Sequence, residues 1–143
     1  MNNQDSLRFF ESLSNKPVTL ETTKFQSSND HSQLDADFVC QYITSGSDVL
    51  DLAAGTGIML NKYYTYANSV VAVEKFEQFA KLIVNDPKVR VVIADIAEYE
   101  TTQKFDAIIL FAAAHYFNEE EVVKLYKKYI NRELLKKEVK VSI

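Results

Sequence analysis

Three carboxylates, Asp51, Glu74 and Asp95, each stand at or next to the end of a short run rich in Val, Leu and Ile. Such runs are typical of strands buried in a parallel sheet. Ligands of open parallel sheets bind beyond the carboxyl ends of the strands, so we expect the three carboxylates to lie at one edge. Carboxylates attract cations and accept hydrogen bonds from hydroxyl groups. The pattern therefore predicts a ligand site at this edge of the sheet.

A turn of small residues follows the first of these carboxylates. The segment 49–57 has the sequence VLDLAAGTG, in which Ala53, Gly55 and Gly57 follow Asp51. Glycine permits backbone conformations and close approaches that a side chain would block, and alanine is small enough to keep such a turn open. A helix that begins after the turn would present unpaired N–H groups to a ligand. We therefore expect a strand, a tight turn and a helix that together bind a ligand.

Three kinds of known site use such a turn. A phosphate-binding loop requires Gly-Lys and then Ser or Thr, and Ile58 after Gly57 excludes it. A dinucleotide fingerprint requires a third glycine at the position of Leu60. The interpretation as a nicotinamide-dependent enzyme is therefore weakened but stays open. The third kind has an acid before the glycines. Asp51 favours a ligand with an ammonium or sulfonium group over a pyrophosphate, because two negative groups repel each other.

The segment 49–57 resembles the first motif of class I S-adenosylmethionine-dependent methyltransferases, which commonly reads D-x-A/G-x-G-T-G. The resemblance covers residues 25–143 and is strongest over 48–112. It implies an α/β fold with a doubly wound, mostly parallel sheet and helices on both faces. It also implies S-adenosylmethionine as cofactor and methyl transfer to a small-molecule acceptor. No metal ion is expected, since Cys40 and two histidines are too few for a structural site.

The resemblance also assigns roles to residues beyond the turn. Glu74 is expected to accept hydrogen bonds from the ribose hydroxyls, with Lys75 beside it in the same site. Asp95 is expected to accept from the adenine amino group, and Ile96 to pack on the ring. The complete set of expected cofactor-binding residues is Phe25, Asp51, Ala53, Gly55, Gly57, Glu74, Lys75, Asp95, Ile96, Phe111 and Ala112, of which the last two border the methionine half.

The apolar stretch FAAAHYF, residues 111–117, holds the candidate catalytic residue His115. A histidine has an unperturbed pKa of about 6.5, so this side chain can serve as general base for a hydroxyl acceptor. The alternative is a packing role between Ala114 and Tyr116. The stretch lacks an Asn/Asp-Pro-Pro-Tyr motif, which would indicate an exocyclic amine as the target. We therefore expect an oxygen or a small apolar acceptor.

Hydrophobic periodicity divides the chain into two regions. Residues 1–31 are expected to form a helix and a loop that either folds over the cofactor as a lid or caps the next helix. Residues 32–143 are expected to form a Rossmann-like cofactor-binding domain. The predicted strands are 48–52, 69–73, 89–94, 105–111 and the start of one at 139–143. The predicted helices are 7–13, 32–44, 58–66, 76–85 and 118–137, the last with Val122, Tyr126, Tyr129 and Ile130 buried.

The predicted domain ends early relative to the family that it resembles. Members usually have seven strands, whereas the pattern here predicts four and the start of a fifth at Val139–Ile143. We therefore expect the final strands to be lacking, which leaves an apolar sheet edge exposed. Such an edge predicts a homodimer that pairs through the last strand. It also leaves open a truncated, non-catalytic module that binds S-adenosylmethionine and associates through this edge.

The composition indicates one globular domain. The 143 residues are 47% hydrophobic and 25% charged, and the formal net charge is −4. A net negative charge is not typical of a protein that binds nucleic acid or an anionic membrane. The basic stretch Lys124–Lys128 is interpreted as a solvated helix face. No stretch resembles a signal peptide or reaches the roughly 20 apolar residues of a membrane span. We therefore expect a cytoplasmic protein that binds neither nucleic acid nor membrane.

Overall fold

The computed structural model describes residues 3–23, 31–110, 117–130 and 134–136. Helices and strands alternate along most of these ranges. In chain order they are α1 (Asn3–Ser14), a first 3₁₀ helix (Leu20–Thr23), α2 (Ser32–Cys40), β1 (Asp48–Leu52), α3 (Leu60–Tyr63), a second 3₁₀ helix (Tyr64–Tyr66), β2 (Ser69–Glu74), α4 (Glu77–Ala80), β3 (Val89–Ile93), β4 (Ala107–Ile109) and α5 (Glu119–Tyr129). None of the helices in these ranges has the length and hydropathy needed to cross a membrane.

The four strands form one parallel sheet in the order β3-β2-β1-β4. Leu50 of β1 pairs with Val71 of β2 on one side and with Ile108 of β4 on the other. The central strands carry apolar side chains on both faces because helices cover both. The predicted strands 48–52, 69–73 and 89–94 are confirmed to within one residue, and the fourth predicted strand is shorter, at Ala107–Ile109.

Two apolar clusters lie on opposite faces of the sheet. Val49 and Val70 face a cluster to which α2, α3 and α4 contribute. Their neighbours Leu50 and Val71 point to the other face, where a second cluster includes residues of α5. Successive side chains of a strand alternate between faces, which explains why adjacent residues belong to different clusters. The predicted doubly wound α/β fold is confirmed.

The last described helix differs most from its prediction. It is capped by Asn118, whose side chain accepts from the Glu121 N–H while the Glu121 carboxylate accepts from the Asn118 N–H. The predicted continuation to residue 137 is wrong, because Leu135 pairs in parallel with Phe105 beside the start of β4. The predicted buried face is also corrected: the buried residues are Leu125 and Tyr129, while Val122, Tyr126 and Ile130 are only half-buried.

The helix α4 is shorter than predicted because side-chain hydrogen bonds hold the residues that follow it. The Asn61 side chain donates to the Leu82 carbonyl at 3.0 Å and accepts from the Val84 N–H at 2.8 Å. These bonds hold the segment after α4 in a turn, so the predicted helix 76–85 is confined to Glu77–Ala80. The predicted strand at 139–143 and residues 24–30 of the predicted N-terminal loop lie outside the described residues.

An ionic cluster joins the segment 134–136 to the N-terminal end of the sheet. Lys136 Nζ lies 2.8 Å from Asp48 Oδ2 and 3.2 Å from Asp106 Oδ2. Asp48 Oδ1 also accepts from the Ser69 hydroxyl at 2.7 Å and from the Asn68 amide at 2.8 Å. Lys136 and these two polar partners hold the pKa of Asp48 at about 2. The cluster lies at the sheet edge opposite to the carboxyl ends of the strands.

Candidate functional site

The turn after β1 has an unusual backbone. Ala53, Gly55 and Gly57 have positive φ angles of 57°, 63° and 80°. Glycine adopts such angles without strain, whereas a non-glycine residue such as Ala53 is uncommon there. At Gly57 space is also limiting, because a Cβ atom would lie 3.0 Å from Asn61 Oδ1 and 3.2 Å from the Ile83 Cα. The small residues predicted for the turn are therefore required by its backbone and by its packing.

The helix expected directly after the turn begins later than predicted. It starts at Leu60 and continues from Tyr64 as a 3₁₀ helix, whereas the periodicity placed its start at residue 58. The Asn61 N–H donates to the Gly57 carbonyl at 2.8 Å, which links the turn to the first helical residues. The turn, and not a helix, therefore lies directly beyond the carboxyl end of β1.

Glu74, the last residue of β2, is bonded to the turn. Its Oε2 accepts from the Gly55 N–H at 2.7 Å, and its Oε1 accepts from the Phe76 N–H at 3.2 Å. The residue is buried, and burial raises the pKa of the carboxyl while the backbone donors oppose the rise. A carboxylate has about four acceptor positions, so two bonds leave capacity for a ligand's hydroxyl groups.

Asp51 lies deeper than Glu74, on the same face of the sheet as α3. It is 3% exposed, and its Oδ2 accepts from the Tyr63 hydroxyl at 2.7 Å. Burial raises the pKa of Asp51 to about 7, the Tyr63 bond opposes the rise, and the nearby Glu74 charge adds to it. Among the described residues, no lysine or arginine forms an ion pair with either carboxylate. The two acids thus form a buried pair of carboxylates that no lysine or arginine of the described ranges neutralises.

Asp95 follows β3 and completes the row of carboxylates. Its Oδ1 accepts from the Ala97 N–H at 2.9 Å, and its Oδ2 lies 3.3 Å from Lys75 Nζ. Lys75 comes directly after Glu74, so the ion pair joins the ends of β2 and β3. Both residues therefore lie at the carboxyl edge, where the sequence placed them.

Ile96 is buried in the cluster on the α5 face, together with Tyr99 and Phe105. Its expected contact with a nucleobase stays a prediction. Phe25, Phe111, Ala112 and His115 lie outside the described residues, and their expected roles also stay predictions.

Thr56 makes a contact that the sequence did not predict. It is fully buried in the turn, and its hydroxyl donates to the Leu20 carbonyl at 2.5 Å. Phe10 of α1 packs edge-on against Phe79 of α4, with ring centroids 6.4 Å apart. The N-terminal region therefore lies against the turn and α4, although its expected action as a lid stays a prediction. The threonine is part of the GTG motif, but its partner is 36 residues away and no local pattern indicates it.

Tyr63 is a second residue that the sequence analysis missed. Its position in the sequence VLDLAAGTGIMLNKY indicates only an apolar face of a helix. The bond to Asp51 could be inferred only once the strand and helix were packed together. Within the described ranges, no group of three or more His, Cys, Asp or Glu residues is arranged to hold a metal ion.

Comparison with known proteins identifies the family. The sequence profile of the methyltransferase domain family matches residues 49–137, and the chain belongs to this family. The match spans β1 to the segment beside β4 and so includes Asp51, Glu74 and Asp95. No curated protein sequence matches the chain.

Solved structures of methyltransferases have the same fold. One is phosphoethanolamine N-methyltransferase 1 of Haemonchus contortus with phosphoethanolamine and S-adenosylhomocysteine, at 19% identity and a TM-score of 0.69, covering 92% of this chain and 30% of that one. Another is the amino pentose methyltransferase CalS10 of Micromonospora echinaspora, with S-adenosylmethionine bound, at 21% identity and a TM-score of 0.63, covering 80% of this chain and 51% of that one.

A third is an S-adenosylmethionine-dependent methyltransferase of Clostridium acetobutylicum, at 20% identity and a TM-score of 0.64, with coverage of 92% of this chain and 54% of that one. The chain thus spans between 30% and 54% of the length of these three proteins. At such identities the likeness establishes the fold, and the predicted Rossmann-like methyltransferase architecture is confirmed.

Proposed function

We propose that the chain binds S-adenosylmethionine and belongs to an enzyme that transfers its methyl group to a small-molecule acceptor. The observation that carries the proposal is the buried pair Asp51 and Glu74, of which Glu74 is bonded to the glycine turn and Asp51 to Tyr63. Among the described residues, neither forms an ion pair with a lysine or arginine. Burying negative charge without a partner is costly, and a cationic ligand offsets that cost. S-adenosylmethionine carries both a sulfonium and an ammonium group.

The row of carboxylates suits the other parts of the same ligand. Glu74 keeps acceptor positions for ribose hydroxyls after its two backbone bonds. Asp95 lies one strand further along, where it can accept from the exocyclic amino group of adenine. The order Asp51, Glu74, Asp95 follows the strands β1, β2 and β3, which are adjacent in the sheet. A ligand that extends across these strand ends would therefore meet the three acids in turn.

Little chemistry is required of the protein once the ligand is bound. S-adenosylmethionine supplies a methyl group that its cationic sulphur has already activated. The chain's residues then bind and orient the ligand. A general base is needed only where the acceptor loses a proton as it attacks. His115 is proposed for that role, and a pH profile of the transfer reaction would test it.

The acceptor is proposed as a small molecule. In support, the net charge of −4 does not favour binding to a nucleic acid. Related structures include enzymes named for phosphoethanolamine and an amino pentose, although at such identity these names apply to those proteins alone. The oxygen acceptor expected from the FAAAHYF stretch stays part of the proposal. A module that binds the ligand without transferring the methyl group is the alternative, and a transfer assay distinguishes the two.

A titration followed by amide NMR tests the binding step. The amides of Gly55 and Phe76 donate to Glu74, and the amide of Ala97 donates to Asp95, so S-adenosylhomocysteine should shift all three saturably. The amide of Asp106, which donates to the Asp48 carbonyl at the opposite sheet edge, serves as the internal control. Absence of saturable shifts would contradict the proposal. Shifts with a nicotinamide dinucleotide instead would favour the nicotinamide-dependent alternative.

A further inference from the structure

The segment after β3 forms a compact turn that carries Asp95. The Asp95 carbonyl accepts from the Glu98 N–H at 2.9 Å and from the Tyr99 N–H at 2.8 Å. The Asp95 side chain accepts from the Ala97 N–H at 2.9 Å, so the same turn also orients the carboxylate. Any movement of the turn would therefore change the direction in which the free acceptor positions of Asp95 point.

Two consecutive residues of α5 hold two consecutive carbonyls of this turn. The Tyr129 hydroxyl donates to the buried Ile96 carbonyl. Lys128 Nζ donates to the Ala97 carbonyl at 3.0 Å and also lies 3.0 Å from Glu100 Oε1. Lys128 is thus bonded to the turn, whereas the sequence placed it on a solvated helix face.

The contact is packed as well as hydrogen-bonded. Tyr129 is 3% exposed, and it lies in one apolar cluster with Ile96, Tyr99 and Leu125. Burial raises the pKa of the Tyr129 hydroxyl, so it remains a donor at neutral pH. A buried carbonyl that loses its donor is costly, because no water can replace the bond. The turn is therefore fixed to α5 rather than to β3 alone.

We propose that Tyr129 and Lys128 are positioning residues that fix the turn of Asp95 and thereby set how strongly the site prefers a nucleobase with an exocyclic amino group. The inference rests on the proposed function, in which Asp95 accepts from the adenine amino group. A hydrogen bond weakens steeply as its angle departs from linearity, so the preference depends on a fixed carboxylate. A 6-oxo base presents no amino donor, and its affinity depends less on that direction.

Tyr129→Phe tests the inference, because it removes the hydroxyl and keeps the ring in the core. The measurement is the dissociation constant of S-adenosylhomocysteine and of S-inosylhomocysteine, its 6-oxo analogue, for the full chain by calorimetry. The wild type should bind the adenine compound more tightly. In the variant, the ratio of the two dissociation constants should change by at least about fivefold towards equal binding. Tyr126→Phe on the same helix is the matched control, since Tyr126 is only half-buried, and it should keep the wild-type ratio.

Lys128→Met provides a second variant for the case in which Tyr129→Phe fails to fold. Lys128 is partly exposed, so its loss leaves the core intact, and the preference should fall in the same direction by a smaller factor. An equal loss of affinity for both compounds, with the ratio unchanged, would indicate a merely structural role and overturn the inference. Wild-type binding with an unchanged ratio in both variants would do the same. A wild type that binds neither compound would instead overturn the proposed function.

Discussion

Asp51 is enclosed by protein on a sheet face that most parallel folds fill with apolar side chains. It keeps one strong partner, the Tyr63 hydroxyl, and a second carboxylate, Glu74, lies close enough to raise its pKa further. Strongly perturbed carboxylates are concentrated at functional sites because stability alone would not retain them. At the scale of single residues, the site is therefore recognised by its unfavourable electrostatics as much as by its motif.

Gly57 illustrates the other requirement of the site, a backbone conformation that a residue with a side chain adopts only with strain. Gly57→Ala should lower the free energy of unfolding by about 1–3 kcal/mol, because φ is +80° and a Cβ atom would meet Asn61 and the Ile83 backbone. Urea unfolding would measure the change. Gly46→Ala is the matched control and should stay within about 0.5 kcal/mol, since the nearest atom to its Cβ is 3.8 Å away. Equal effects of the two substitutions would contradict this reading of the turn.

Among the elements, strands were predicted well and helix ends poorly. A strand such as Asp48–Leu52 is defined by a local run of apolar residues, and its bounds agree with the prediction. The end of α4 depends on Asn61, whose side chain bonds the following turn from a different helix. Likewise α5 stops at Tyr129 while the pattern of alternating charge and apolar residues continues. Such ends are set by contacts between segments distant in sequence, which a local pattern does not contain.

The same distinction holds within the site. The glycine turn and the three carboxylates could be found from the sequence, because each occupies a fixed place relative to a strand. The hydrogen bonds of Tyr63, Thr56 and Tyr129 could not, since their partners lie 12, 36 and 33 residues away. Their hydroxyls satisfy buried groups that become neighbours only when the sheet and helices are assembled.

The segment 134–136 is held beside β4 by backbone hydrogen bonds to Phe105 and by the ion pairs of Lys136. A substitution of Lys136 tests the contribution of the ion pairs separately. Lys136→Met should lower the thermal unfolding midpoint by about 3 °C at pH 7, because an exposed ion pair contributes modestly. The pKa of Asp48 is lowered from its ordinary value of 3.8 to about 2. The stabilisation from its charge is therefore fully present above pH 3.8 and is lost as the pH falls towards 2. The difference between variant and wild type should therefore shrink over that range.

Lys124→Met is the matched control for this experiment. Lys124 forms an exposed pair with Glu120, 3.4 Å apart, within α5 alone. It should leave the midpoint within about 1 °C of the wild type, because the pair is solvated on both sides. A midpoint that falls equally in both variants, or a Lys136 effect that grows in acid, would show that the cluster does not hold the segment.

At the scale of the whole molecule, charge is divided between the two edges of the sheet. At the N-terminal edge, Asp48 and Asp106 share one ionic partner, Lys136. At the carboxyl edge, Lys75 pairs with Asp95, while Asp51 and Glu74 have no ionic partner among the described residues. The carboxylates at the N-terminal edge therefore have a cationic partner in the described structure, whereas the pair Asp51 and Glu74 carries negative charge that a cationic ligand would complement.

The pH dependence of S-adenosylmethionine binding tests this central claim most directly. A cationic ligand favours the charged form of Asp51, whose pKa is about 7 in the free protein, so binding below pH 7 releases a proton. Calorimetry at pH 6 and pH 7 should show an affinity about fivefold higher at pH 7, with a heat that depends on the buffer. The Asp51→Asn variant should bind S-adenosylmethionine more weakly and lose the pH dependence. The Asp86→Asn variant, changed just before β3, should retain the wild-type affinity and its pH dependence. An affinity that is independent of pH, or that falls between pH 6 and pH 7, would contradict the account.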